Sequence, residues 1–303
     1  MKIKLLASDS LGVRSMATFI ETKDVKIIID PGCNLAPNKY GLPPHPKEIE
    51  LLKNYWKVIE KHIKMADVVI ITHYHYDHYN PKHVELFKEK ILLIKHPSQN
   101  INQSQKKRAK DFLNALNSLK SLPRKIEFAD SKTFNFGKTK IIISKALPHG
   151  ISNKLGYLLE VFINDGKSNF LFSSDVEGPA LKEQIDFMLK AKPEFVVIDG
   201  PMTGMLGYRY PESALKASIK NLINLIKKVK PKVVVIDHHL LRDKHWKERL
   251  NDVFKEAERN KVKILTFAEF NGKAINVLET KRKELFKQFP AEKKKLTSYD
   301  LLP

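Results

Sequence analysis

The run His73-Tyr74-His75-Tyr76-Asp77-His78, set directly behind the apolar stretch Val68-Val69-Ile70-Ile71-Thr72, limits the folds open to this chain more than any other feature. The chain has 11 histidines in 303 residues, so three of them within six positions around an aspartate is not a random polar loop. A β-strand that delivers imidazoles at its carboxyl end needs neighbouring strands to shield it and other elements to bring further ligands to the same edge. In an extended segment alternate side chains face one way, so His73 and His75 can hold one ion together. A turn at Tyr76 then sends Asp77 and His78 toward a second ion.

Three more strand-like runs end in the same chemistry. Ile141-Ile142-Ile143 leads to the turn Pro148-His149-Gly150, Phe170-Leu171-Phe172-Ser173-Ser174 to Asp175, and Val233 to Ile236 to Asp237-His238-His239. Imidazole and carboxylate are the donors that borderline divalent cations take, and a catalytic site needs several converging with a position left to water. Aligning Val234-Val235-Ile236-Asp237-His238 with Val69-Ile70-Ile71-Thr72-His73 favours His238 as the ligand, with His239 facing the core or a substrate. Asp30, which ends the run Ile28-Ile29 before Pro31-Gly32, is either a turn residue or an acceptor that orients a metal-bound histidine. Asp30 and Asp77 are the candidates for a catalytic contribution. Asp199-Gly200-Pro201 reads as a strand-ending turn near the same crevice. His45, His62, His83, His96 and His245 read as surface or packing residues, with His45 on the Pro43-Pro44-His45-Pro46 loop the one placed to overhang a site.

Apolar β-branched or aromatic runs at 25–29, 68–71, 91–94, 141–143, 158–162, 170–172, 195–198, 233–236 and 262–265 predict buried strands. Amphipathic stretches at about 47–64, 82–90, 104–121, 179–191, 211–229 and 245–260 predict helices between them. The alternation, with strands near 139–145, 156–163 and 168–174 able to pair as a meander, indicates a layered α/β protein with mixed sheets. No linker of domain-boundary character interrupts residues 1–303, so one domain is expected, with a basic tail from about residue 281 as a loosely packed helix.

Composition narrows the chemistry further. With Cys33 alone there is no internal disulfide and no cysteine metal knuckle, so any metal must use His and carboxylate. No stretch of eighteen apolar residues occurs, and Met1-Lys2-Ile3-Lys4 does not open a signal peptide; the expectation is a cytoplasmic protein with no membrane association. The formal net charge of +20 attracts nucleic acid or other polyanions, although a Lys-, Glu- and Ile-rich surface also suits heat adaptation. Ser10, Arg14 and Arg209 are candidates to grip an anionic substrate or ordinary surface residues.

Asp30, HxHxDH at 73–78, His149, Asp175 and a final His at 238 or 239 stand in the order and approximate spacing of the metallo-β-lactamase superfamily, which the chain resembles to about residue 270. Through Ser10 to Ser15 and Tyr40 to Pro46 it resembles an archaeal branch of that superfamily, a branch that supplies no substrate. The resemblance implies an αββα sandwich, two mixed β-sheets packed face to face with helices on both outer faces and the site at one edge. It implies one ion on His73, His75 and His149, a second on Asp77, His78 and His238, and Asp175 bridging them. Such a pair activates a bridging water for hydrolysis. Zinc is the first expectation for this donor set, and manganese and iron suit it too. A phosphodiester, in nucleic acid or elsewhere, is the leading substrate class; a carbonyl ester, lactone or thioester of a small metabolite is the alternative, and a non-catalytic binding protein on the same fold the third reading. The interval from Asp175 to His238 is too short for the inserted domain of the β-CASP nucleases, and the Gly/Pro-rich arm of transfer-RNA-processing members has no counterpart. Oligomeric state is left open.

Overall fold

The computed structural model describes residues 1–119 and 122–303. Two sheets form its centre. The first has six strands in chain order, β1 (Lys2–Leu5), β2 (Thr18–Glu21), β3 (Lys26–Ile29), β4 (Val68–Ile71), β5 (Ile91–Ile94) and β6 (Lys125–Phe128), antiparallel through β3 and parallel from there. After β7 (Thr133–Phe136) and β8 (Thr139–Ile143) come the short pair β9 (Leu147–Pro148) and β10 (Tyr157–Leu158), then β11 (Val161–Asn164), β12 (Asn169–Phe172), β13 (Phe195–Asp199), β14 (Val233–Asp237) and β15 (Lys263–Leu265). The second sheet runs β15-β14-β13-β12-β11-β8-β7, with the expected meander β8-β11-β12 followed by parallel strands.

Side-chain alternation sorts these strands into layers. Ile27, Ile29, Val68 and Ile70 of the first sheet meet Ile141, Val161, Phe170, Val197 and Val235 of the second in one apolar layer. Their neighbours point outward: Ile28, Val69 and Ile71 pack under α1 (Pro46–Met65) and α2 (Gln103–Asn117), through Leu52, Trp56, Ile59, Ile63, Phe112 and Leu116. On the other side Val196, Ile198, Val234 and Ile236 pack under α3 (Lys182–Ala191) and α4 (Glu212–Val229). The runs look wholly apolar because both faces of each strand are covered. The expected αββα sandwich is the architecture observed.

Several local expectations change. The stretch at 82–90 forms 3-10 turns over Pro81–Phe87, capped by the Asn80 side chain, which accepts from Lys82 N–H, and broken at His83 (φ −126°, ψ 43°). The stretch at 245–260 divides at Leu250 into α5 (Trp246–Arg249) and α6 (Asn251–Arg259). The run at 158–162 is split between β10 and β11, and the last two positions of the helix expected at 104–121 lie outside the described residues. After the one-turn helix α7 (Phe267–Phe270), the tail is anchored instead of loosely packed. Its helix, α8, covers only Arg282–Gln288, and Arg282 is fully buried in a two-point ion pair with Glu48 of α1. Leu301 and Leu302 are buried, and the backbone oxygen of Pro303 accepts from Asn80 Nδ2, just behind the metal-binding run. Among the described residues no helix is long and apolar enough to cross a membrane.

Candidate metal centre

The carboxyl ends of β3, β4, β12, β13 and β14 open on one edge between the sheets, and every predicted ligand converges there. The chain leaves β4 into His73, turns over Tyr76 to Asp77 with His78 N–H donating to the His75 carbonyl (3.0 Å), and so presents two faces. Ligand atoms of His73, His75, His149 and Asp175 lie within 4.8 Å of one another, as do those of Asp77, His78 and His238. Asp175 divides its carboxylate between these sets. Its Oδ2 lies 3.5 Å from His73 Nε2 and 3.2 Å from His149 Nε2, while its Oδ1 lies 2.9 Å from His78 Nε2 and 3.5 Å from His238 Nε2.

The two separations of 3.5 Å match donors facing a shared cation, and those of 3.2 and 2.9 Å are somewhat shorter. Atoms bonded at about 2.0–2.2 Å to one tetrahedral ion stand about 3.3–3.6 Å apart. Nε2 of His73, His78 and His149 and Oδ1 of Asp175 are buried with no hydrogen-bond partner; even the 2.9 Å approach of His78 to Asp175 lacks hydrogen-bond geometry. One orphaned buried polar atom costs about 1–3 kcal/mol, so several aimed at one point are retained for a ligand. The residues therefore fit a divalent-metal pair.

The opposite nitrogen of most rings is held from behind. His78 Nδ1 lies 2.8 Å from Asp30 Oδ2, His238 Nδ1 2.7 Å from Asp9 Oδ2, and His239 Nδ1 3.0 Å from Asp199 Oδ2. His149 Nδ1 faces Glu177 Oε1 at 3.6 Å, and His73 Nδ1 lies 3.2 and 3.3 Å from the Thr72 and Ser174 hydroxyls. A carboxylate on Nδ1 fixes the proton there and turns the Nε2 lone pair to the centre. The electrostatics of the two sets differ. Burial, with the neighbouring His78, pulls His73 down to about 4, and burial drives His75 well below the ordinary range. At His238 burial acts in the same direction, but Asp175 and Asp9 override it and hold the ring up to about 10; at His78, Asp175 and Asp30 raise the ring well above its ordinary range. In those two places a proton answers a demand for positive charge that a metal also meets.

Backbone strain concentrates at the same edge. Asp30 (φ 48°), Ser174 (φ 55°), Glu177 (φ 51°) and His238 (φ 63°) all occupy the left-handed region, at about 1–3 kcal/mol each. Gly32 permits the closest approach: a Cβ there would lie 2.3 Å from Tyr79 N, so only glycine lets the Asp30 loop rest against the end of the metal-binding run.

All seven expected ligands are thus brought together; His238 groups with Asp77 and His78, and His238 and His239 together group with Asp175. Asp30 takes the orienting place that the sequence offered beside the turn reading: fully buried and away from the cavity, it accepts from Thr72 N–H (2.8 Å), Thr72 Oγ1 (2.7 Å) and His78. Asp77, partly exposed, lines the cavity over the centre, which has a volume of about 280 Å³. Arg14 and Arg209 line it too. Ser10 does not: it is buried, its N–H bonded to Asp237 and its hydroxyl to Ala268 N–H. His45 caps α1, accepting from Lys47 N–H, and does not overhang the site. Asp199, at the strand end as expected, holds the ring of His239, which lines the cavity. Asp9, Glu177 and Arg242 escaped the sequence reading; the only signal for Asp9 was an acid in Ser8-Asp9-Ser10 just beyond an apolar strand. Arg242 bonds Asp9 Oδ1 (2.8 Å) and lies 3.4–3.5 Å from both ring nitrogens of His238.

A protein from Korarchaeum cryptofilum of the UPF0282 family is 47% identical over 99% of both chains, and another from Metallosphaera sedula is 47% identical over 95% of this chain and 93% of that one. The chain belongs to the UPF0282 family. A profile of the metallo-beta-lactamase superfamily matches residues 12–80, which include Asp30 and the whole metal-binding run, so the resemblance read from the sequence holds. Among solved structures, unliganded yeast PDE1 superposes with a TM-score of 0.56 at 13% identity, covering 87% of this chain and 96% of that one. The isothiocyanate hydrolase from Delia radicum gut bacteria gives 0.53 at 16% identity, covering 88% and 95%. Both share the fold. Proteins of this superfamily are in general hydrolytic metalloenzymes, and the UPF0282 chain carries a ligand set for divalent metal.

Proposed function

We propose that this UPF0282 protein is a cytoplasmic binuclear hydrolase, with zinc the first expectation for its metal and a phosphodiester its substrate class. One observation carries the binuclear reading: the two oxygens of Asp175 face two separate imidazole sets whose Nε2 atoms point inward. His73, His75 and His149 would hold one ion and Asp77, His78 and His238 the other. When bound, such a pair acidifies water and stabilises negative charge that develops on the reacting group. The chain's own residues do the rest. Asp30 and Asp9 aim the rings of His78 and His238, the buried floor excludes bulk water, and the cations Arg14, Lys39, Arg209 and Arg242 line the cavity, where an anionic substrate is attracted and oriented.

Leu155, Met202 and Met205 line the same cavity and favour a second reading, hydrolysis of a carbonyl ester, lactone or thioester with an apolar arm. The fold does not choose between them, since one fold serves many chemistries. The test is turnover by zinc- and manganese-loaded protein on bis(p-nitrophenyl) phosphate, a lactone series and a thioester, each beside His75→Ala. Phosphodiester cleavage lost in that variant supports the first reading. Cleavage of lactone or thioester alone moves the second into its place, and turnover that survives His75→Ala removes the centre from the reaction.

A further inference from the structure

The cavity over the metal centre is small, and what surrounds its mouth is larger than the cavity needs. About 280 Å³ is at the low end for a ligand pocket. Immediately beside two of its lining cations stand aromatic rings that do not line it. Tyr208 is 79% exposed, with the guanidinium of Arg209 5.8 Å from its ring centroid. Tyr40 is 48% exposed, with the ammonium groups of Lys39 and Lys283 at 5.3 and 5.2 Å. Two large exposed aromatics, each paired with a cation at the rim of one cleft, are not explained by packing, because neither belongs to an apolar cluster.

The charge at the rim is in excess. Arg14 and Lys39 share the single carboxylate of Glu279 (2.7 and 3.4 Å), and Arg242 is matched by Asp9. No carboxylate among the described residues engages Arg209. The mouth of the site therefore keeps net positive charge beside flat, solvent-facing rings. A ligand that uses both must carry repeated negative charge and planar groups, and must extend past the cavity to reach Tyr40 and Tyr208. A paired duplex keeps its bases stacked inside, away from exposed rings; a single strand offers bases and phosphates together.

We propose that the rim is a binding surface for single-stranded nucleic acid, with bases stacking on Tyr208 and Tyr40 and phosphates held by Arg209, Arg14 and Lys39, which deliver one phosphodiester to the centre. This rests on the phosphodiester reading and narrows it to a polymer.

The test uses a fluorescent oligothymidylate of about a dozen nucleotides, its anisotropy followed with the metal-loaded full chain and, in parallel, with the His75→Ala chain, in which the probe stays whole. Tyr208→Ala is expected to weaken binding roughly 5- to 150-fold, the range for loss of one base–aromatic stack, with Tyr208→Phe restoring it. Arg209→Ala should lower the slope of log affinity against log salt by about 0.7, one phosphate contact on a single strand. Lys232→Ala removes the same charge from the opposite end of the sheet, where Lys232 pairs with Glu194, and should leave the slope unchanged. The proposal is overturned if Tyr208→Ala and Tyr40→Ala both bind like the parent, if Lys232→Ala lowers the slope as much as Arg209→Ala, or if adenosine monophosphate competes as well as the oligonucleotide. Tyrosine-dependent binding without phosphodiester turnover would sink the phosphodiester reading and leave only the binding surface standing; turnover with tyrosine-independent binding would keep the phosphodiester reading and overturn the surface.

Discussion

Replacing Asp30 by Asn tests whether the carboxylates behind the histidines set metal affinity. Asparagine has the same shape and tolerates the left-handed backbone of Asp30 (φ 48°), whereas alanine there would add strain of its own. Its oxygen can keep the Thr72 N–H bond, which leaves an amide NH2 where Asp30 Oδ2 now accepts from both Thr72 Oγ1 and His78 Nδ1. The Thr72 hydroxyl has a way out, since Ser174 Oγ lies 2.6 Å away and can take its proton. His78 has none. Either its Nδ1–H meets another donor, or the ring moves its proton to Nε2 and loses the lone pair aimed at the centre. One charge-assisted bond of about 1.5–3 kcal/mol is forfeited, equivalent to roughly 10- to 150-fold, and loss of such a supporting contact typically weakens metal binding about 10- to 100-fold. Competition with a chromophoric chelator should show one equivalent bound as in the parent, on His73, His75 and His149, and the other weakened by that factor. Circular dichroism should show the fold retained. If both equivalents bind as in the parent, the orienting role argued for Asp30 is wrong.

Other expectations can be checked on the same protein. His238→Ala should lose about one metal equivalent by elemental analysis and His239→Ala should keep two; the opposite result would exchange their roles. At free metal 100-fold above Kd, two bound ions add about 5.4 kcal/mol at about 2.7 each, and at about 1.5–2 °C per kcal/mol for a chain of 303 residues chelation should lower Tm by roughly 8–11 °C; an unchanged Tm in protein shown to hold metal would contradict the ligand set. Arg282→Ala leaves Glu48 buried without its partner, so urea unfolding should show a loss of about 3–5 kcal/mol, and a loss near zero would mean the tail is not an anchor. Glu160, fully buried with neither carboxyl oxygen bonded, is pushed by burial well above the ordinary carboxylate range, so the folded state keeps a proton that the unfolded chain releases. Stability should then fall as pH rises past the unfolded value of about 4.3, and Glu160→Gln should raise Tm at pH 8 by more than at pH 4.5; an equal effect at both would refute the assignment.

Much of the site was legible because it uses contiguous sequence. A strand buried on both faces writes itself as an uninterrupted apolar run, and the residue that follows such a run lies at the sheet edge. That located His73, Asp175 and His238 without any knowledge of pairing. Strands β1, β6 and β7 were not legible because they are edge strands: Lys2-Ile3-Lys4-Leu5 and Lys125-Ile126-Glu127-Phe128 are apolar only at alternate positions, a signal too short to separate from loop. Strand β2 sits inside the sheet, but Thr18 and Glu21 at its ends leave only two apolar residues to betray it. The stretch at 82–90 has helical periodicity and still forms 3-10 turns, since Asn80 and Lys82 are tied to Pro303 and Leu302 backbone oxygens contributed from the far end of the chain.

The supporting carboxylates explain why periodicity could find ligands and miss what makes them ligands. Asp9 and His238 are separated by 229 positions, and Asp30 and His78 by 48, so neither pair is a local pattern. The choice between His238 and His239 shows the consequence. In the parallel register Asp199 of β13 lies beside Asp237 of β14, yet the two do different work. Asp237 is spent on backbone, accepting from the N–H groups of Ser10, His238 and Phe267, and so fixes the turn that puts His238 at φ 63°. Asp199 holds the ring of His239 against the cavity wall, and Asp9 arrives from the first sheet to hold His238 over the centre. Both imidazoles are therefore oriented by carboxylates through Nδ1, and what separates them is which residue faces the freed Nε2. Only His238 shares a ligand group with Asp77 and His78, the pair that the metal-binding run supplies to the second ion.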